Sequence, residues 1–287
     1  MNAIQTVEDS ISAYAVSLSR RPISENTRKA FVGDARIFQR WLGEARRLNA
    51  ITAEHIRNFL DAQERGGSAR SPKSLERRLT SLKVFFDWAH HQGHIAVSPA
   101  EGVAYRAFVD PLPEYLTDVQ AEAALQAARH VAAAAKLELR PMLAIQLVLD
   151  TGIKKGECLA LTVADVKQDV AAPSIHVRYL KKHLRYKDRE LPVSRDTLRG
   201  LEDYIARYSV RDRLFDCTGR NLEYMFNRRV APLAGLEALT FEQLRWTCAL
   251  ADWRAKTLTE PQMQQKFGLS NSAWLEMASK LARITRF

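Results

Sequence analysis

Several things that would narrow the chemistry of this chain are scarce in it. Three cysteines in 287 residues, Cys158, Cys217 and Cys248, lie far apart and outside any motif, which argues against a disulfide framework and a zinc site. No metal and no cofactor are therefore expected. No apolar run approaches the ~20 residues that cross a bilayer, and the first residues lack a signal-peptide pattern. A cytoplasmic protein with no membrane partner is the expectation. Acidic residues are fewer than basic ones, 33 against 43, for a net charge of +10. That excess suggests a polyanionic partner, most simply double-stranded DNA. Two further absences are positional: no histidine follows His183 and no tyrosine follows Tyr224.

What is present reads as a mainly helical, two-domain chain. The composition, 46% hydrophobic and 26% charged, is ordinary for a globular protein, and the length suffices for two cores. Residues 6–20 carry Ile11, Tyr14, Ala15 and Leu18 at helical spacing. Ser24 to Thr27 offers N-cap groups for a second helix with Phe31, Ala35, Phe38, Trp41 and Leu42 on one stripe. A third helix starts after Thr52. Residues 65–70 form a basic loop, and Ser71-Pro72 opens a fourth helix with Leu75, Leu79, Leu82, Phe85, Phe86 and Ala89 inward. Residues 1–105 make the first domain, 106–114 with Pro111 and Pro113 the linker, and 115–287 the second domain.

In the second domain, Asp150 to Asp165 is the organising stretch: a helix end, a glycine turn and a short helix. Gly152 sits where a chain leaving a helix needs positive φ, and Lys154 and Lys155 follow at once. Leu147, Val148, Ile153, Leu159 and Leu161 face inward. Strands are expected at 174–179 and 189–193, joined by the basic tip Leu180 to Asp188. Helices near 196–208, 220–230, 241–255, 260–267 and 271–284 complete the chain.

The run Thr151-Gly-Ile-Lys-Lys-Gly-Glu157, followed by Leu159, Leu161 and Asp165, resembles the tyrosine recombinase (phage integrase) family. Residues 74–89, with Ser98-Pro99 closing the unit, are similar to that family's helical, SAM-like core-binding domain, and Tyr115 to Val119 to the entry of its catalytic domain. The resemblance implies the two-domain recombinase architecture, with a small β-hairpin or sheet in a mainly α fold, and a duplex clamped between the domains. By position it makes Arg28, Lys29, Lys73, Arg77, Arg78, Lys83, Lys154, Lys181, Lys182 and Arg245 candidate DNA contacts. Solvated helix faces would explain the cations of the first domain equally well.

The same resemblance exposes departures. The family's phosphate-gripping arginine is Lys154 here, and its hairpin lysine falls at Leu184, with Lys181 and Lys182 nearby. Its His-x-Leu-Arg-His helix reads Glu242-Gln-Leu-Arg245-Trp246, its next histidine is Leu269, and its nucleophilic tyrosine falls at Met277 or Ala278. Sliding the register restores neither residue type, because no histidine follows His183 and no tyrosine follows Tyr224. Strand cleavage by that mechanism needs a phenol to form the phosphotyrosyl ester and guanidinium groups to neutralise phosphorus-centred charge. Lysine lacks the bidentate fork of arginine. Lys154, Glu242, Arg245, Leu269 and Ala278 are accordingly read as vestigial positions, with no catalytic residue among them. The expectation is an inactive DNA-binding relative, an accessory or regulatory factor of recombination or of a mobile element. Self-association, or contact with an active recombinase, would run through the last helix. Two alternatives stand beside it: a strand-cleaving enzyme with a displaced site at Tyr224 or a nearby serine, and a protein–protein module that kept the fold but not DNA.

Overall fold

The computed structural model describes residues 6–43, 46–66, 71–104, 110–133, 138–169 and 171–286. The chain divides into two compact units, Met1–Asp110 and Pro111–Phe287. Residues 106–109 of the expected linker and 67–70 of the expected basic loop lie outside the described residues.

The first unit consists of α1 (Val7–Ser19), α2 (Glu25–Leu42), a 3-10 turn at Leu48–Ala50, α3 (Ala53–Arg65) and α4 (Pro72–His91). Each helix starts where a hydroxyl side chain can accept a free backbone N–H. Thr6 accepts from Asp9, Ser24 from Thr27, and Ser71 from Ser74, with Pro72 in the first turn of α4. The apolar stripes close on an aromatic cluster. Phe38 meets Phe59 at 5.2 Å between ring centroids, Tyr14 meets Phe85 at 5.3 Å, and Phe85 meets Phe86 at 5.0 Å. These five rings are fully buried and dominate the stabilisation of so small a helical unit.

The second unit runs α5 (Asp118–Ala133), α6 (Arg140–Thr151), α7 (Lys155–Ala160), β1 (Val166–Lys167), β2 (Ser174–Val177), β3 (Arg189–Pro192) and α8 (Arg195–Tyr208). It continues with α9 (Gly219–Met225), which passes into a π-helical turn at Phe226–Val230, then α10 (Phe241–Ala255), α11 (Glu260–Lys266) and α12 (Asn271–Ile284). The strands form an antiparallel sheet in the order β1-β2-β3, with Ile175 opposite Leu191 and Val177 opposite Arg189. Helix α6, buried along most of its length, packs against α5, α8 and α10. The apolar interior falls into two clusters. The larger gathers around α6, and a smaller one joins Trp246, Leu250, Met263, Phe267, Trp274, Met277 and Leu281 of α10–α12.

The architecture is the mainly helical one with a small sheet. The differences are local. Strand β2 stops at Val177 rather than 179, β1 has no forecast in the sequence, and the basic tip holds a 3-10 helix over Lys182–Lys187. Leu159 is only partly buried, because Cys158 takes the interior position of α7.

Candidate functional site

Gly152 is the left-handed C-cap of α6, at φ 61°, and its N–H donates to Val148. Only glycine fits, since a Cβ there would lie 2.2 Å from Cε1 of Phe267. The turn delivers Lys154 to the start of α7, where the Glu157 carboxylate accepts the Lys154 backbone N–H at 2.8 Å. Glu157 is buried and fully occupied. The guanidinium of Arg189, at the start of β3, donates at 3.2 and 2.8 Å to its two oxygens, and the Tyr179 hydroxyl donates to Oε1. Burial pushes the Glu157 carboxyl up, but the Arg189 fork and these hydrogen bonds outweigh it and hold the group below its ordinary range.

Three cations then converge on one turn of backbone. Arg189 Nε donates to the carbonyl of Lys266 at 2.7 Å, Arg245 Nη2 to that of Phe267 at 2.9 Å, and Lys154 Nζ to that of Gly268 at 2.9 Å. The second fork nitrogen of Arg245 donates to the carbonyl of Gly152, and its guanidinium stacks 5.1 Å from the Phe267 ring centroid. Arg245 is buried, and burial lowers its pKa. Lys154 is brought down to about 8, chiefly by desolvation, with Arg245, Lys187 and Arg189 repelling its charge and Glu157 opposing the shift. Lys187 also borders a cavity of about 180 Å³ lined by Tyr186, Asp188, Gly268 and Leu269.

The remaining positions that the resemblance singled out are equally tied to the chain. Glu242 is exposed and accepts from Trp246 Nε1 at 2.9 Å, so the two positions that carry histidines in the family bond to each other. Leu269 and Ala278 are half-buried against the α10–α12 cluster, and Met277 is inside it. Tyr224 is exposed on α9 with Arg228 over its ring. Lys181 and Lys182 are exposed at the basic tip.

In the first unit the candidate cations divide. Arg28 and Lys29 both pair with Glu25 on α2, the latter at 3.6 Å. Lys73 lies 3.8 Å from Asp110, and Lys83 is half-buried on α4. Arg77 forms a bidentate pair with the buried Asp34 of α2 yet keeps half its side chain exposed. Arg78, a candidate DNA contact by position, turns away from solvent. It is 5% exposed, donates to Gln63, and lies 3.6 Å from Asp34, whose Oδ2 also accepts from Ser81. It faces inward because α4 buries that side against α2 and α3.

The sequence reading missed Arg189 and Lys187. Alternation alone could have found the first: Arg189 and Leu191 share the inward face of β3, with buried Val193 just beyond it, and a charge in that row requires a buried counter-charge. Among the described residues, no group of three or more His, Cys, Asp or Glu side chains could hold a metal ion. No helix among them is long and apolar enough to cross a membrane.

The phage integrase N-terminal SAM-like domain matches residues 11–93. The tyrosine recombinase XerC of Mycobacterium leprae (strain TN) is 32% identical over 145 residues, covering 50% of this chain and 48% of that one. XerC of Mycobacterium sp. (strain JLS) is 32% identical over 167 residues, covering 57% and 54%. The chain thus spans about half the length of these curated relatives. Among solved structures, a lambda integrase dimer bound to a COC' core site superposes with a TM-score of 0.74 at 19% identity, covering 97% of this chain and 78% of that one. The Tn1549 transposon integrase in complex with a circular intermediate DNA gives 0.73 at 18%, covering 98% and 99%. At that identity the likeness is one of fold. The matched domain is that of phage integrases, the sequence relatives are tyrosine recombinases, and the fold is the one shared with the lambda and Tn1549 integrases.

Proposed function

We propose that this protein binds duplex DNA without cleaving it and serves as an accessory or regulatory factor of recombination or of a mobile genetic element. The observation that carries the reading is the absence of any tyrosine after Tyr224 and any histidine after His183. The helix expected to hold the nucleophile instead packs Met277 inward with Ala278 beside it. The two cations at the family's arginine positions, Lys154 and Arg245, donate to backbone carbonyls.

DNA binding draws support from the net charge of +10 and from the fold shared with integrases whose structures contain DNA. Arg28, Lys29, Lys73, Arg77 and Lys83 in the first unit and Lys181 and Lys182 in the second are the cations we assign to phosphate. Surface pairs such as Lys29 with Glu25 are worth little, so exchanging a carboxylate for a phosphate there costs little. Association with a second copy or an active recombinase would use the outer face of α12, where Leu275 is exposed. A cytoplasmic location fits this role.

Selection from a random duplex pool by mobility shift, repeated across salt concentrations, tests the reading. Enrichment of one sequence, with affinity falling steeply as salt rises, is the expected result. No shift at low salt would remove DNA from the account and leave a protein–protein module.

A further inference from the structure

Helices α11 and α12 do not share the main apolar core of their unit. Their buried residues form a separate cluster with one side of α10. Besides the Phe267 ring packed against Gly152, what joins this lobe to β3 and to the Gly152 turn is polar: the carbonyls of Lys266, Phe267 and Gly268, taken in turn by Arg189, Arg245 and Lys154. The three donors come from three separate elements, and the three acceptors are consecutive. The acceptors lie at the carboxyl end of α11, where carbonyls lack partners within the helix.

The fit is close on both sides. A Cβ on Gly152 would strike the Phe267 ring, and a Cβ on Gly268, at φ 56°, would lie 2.7 Å from Nη1 of Arg189. Arg245 is engaged by two carbonyls and the Phe267 ring, and Arg189 by Glu157 and two carbonyls.

We infer that this cation cluster is an intramolecular latch whose ligand is the carboxyl end of α11: it binds neutral peptide oxygens of its own chain and, while latched, admits no phosphate. Closed, the latch holds the α11–α12 lobe against the unit. Opened, it would present Lys154 and Arg245 together beside Lys187, while Arg189 stays on Glu157. The latch stands on contacts within the second unit and needs no DNA to exist.

Hydrogen exchange on the full-length chain tests it. Charge-assisted bonds to buried carbonyls are strong enough that losing one shifts a local opening equilibrium by about tenfold. Arg245→Met is expected to speed amide exchange across α11 and α12 by about that factor while α1–α4 stay unchanged. Lys154→Met, at a half-exposed position, serves should the first variant fold poorly, with the same pattern and a smaller increase. Unchanged exchange in α11–α12, or an equal rise throughout the second unit, would overturn the latch. Added inorganic phosphate is expected to leave α11–α12 exchange in the wild-type chain unaltered, and acceleration by phosphate would overturn the exclusion.

Discussion

Asp34 in the first unit and Glu157 in the second are both carboxylates buried under arginine, and the two arrangements end differently. In the first unit Asp34 of α2 is met by Arg77, Arg78 and Ser81 of α4, and Arg77 remains half-exposed on the outer surface. In the second, Glu157 is met by Arg189 and Tyr179, and the neighbouring cations Lys154 and Arg245 turn toward backbone oxygens. The first network props a cation up toward solvent, whereas the second draws its cations inward. A basic residue at a family's phosphate-binding position is therefore no guide to its availability. Its partners are.

The largest break in this comparison should come from Glu157→Ala. It leaves the Arg189 guanidinium buried without its counter-charge, and chemical denaturation is expected to show a loss of about 3–5 kcal/mol. Because folding holds the Glu157 carboxyl below its free value near 4.5, its contribution is complete above that pH and fades as pH falls through the folded value.

Asp34→Ala should cost less, about 2–3 kcal/mol, since Arg77 can rotate into water and Arg78 keeps Gln63. Weaker DNA binding is expected with it, because Arg77 loses the support that orients it. A loss equal to that of Glu157→Ala would erase the distinction between the two networks.

Lys154 offers a subtler probe. Its pKa falls from 10.5 to about 8 on folding, so between those values the unfolded chain holds the extra proton and stability rises with pH. The charge is opposed by Arg245, Lys187 and Arg189 and supported by Glu157. Subtracting a Lys154→Met variant removes the opposing titration of buried tyrosines and cysteines. The wild-type advantage should grow from pH 8 to 10, and a flat difference would mean a solvated amine.

Lys182→Ala sharpens the comparison from the outside. At an exposed position its effect on stability should stay within about 0.5 kcal/mol, while the slope of log affinity against log salt should fall by about one if Lys182 meets a phosphate.

Much of the fold was legible because its signals are local. Ser24, Thr52 and Ser71 announce the starts of α2, α3 and α4, and Gly152 ends α6 in the left-handed conformation its motif requires. The strands at Ser174 and Arg189 begin where alternation places them. The site was less legible. Arg245 and Phe267 are 22 residues apart, and Lys154 and Gly268 are 114 apart, so no local pattern says that one donates to the other. Arg78 sits one residue from Arg77 with the same chemistry, and only the packing of α4 on α2 and α3 separates their fates. Glu242 takes its donor from Trp246, one turn along α10.

The central claim is that this chain holds DNA without forming a bond to it. The most direct measurement incubates the full-length protein with its selected duplex, nicked to trap any covalent intermediate, and resolves the mixture in denaturing detergent. The account predicts that every complex dissociates and that Tyr224→Phe behaves as wild type. A detergent-resistant protein–DNA band, above all one lost in Tyr224→Phe, would contradict it and make the protein a strand-cleaving enzyme.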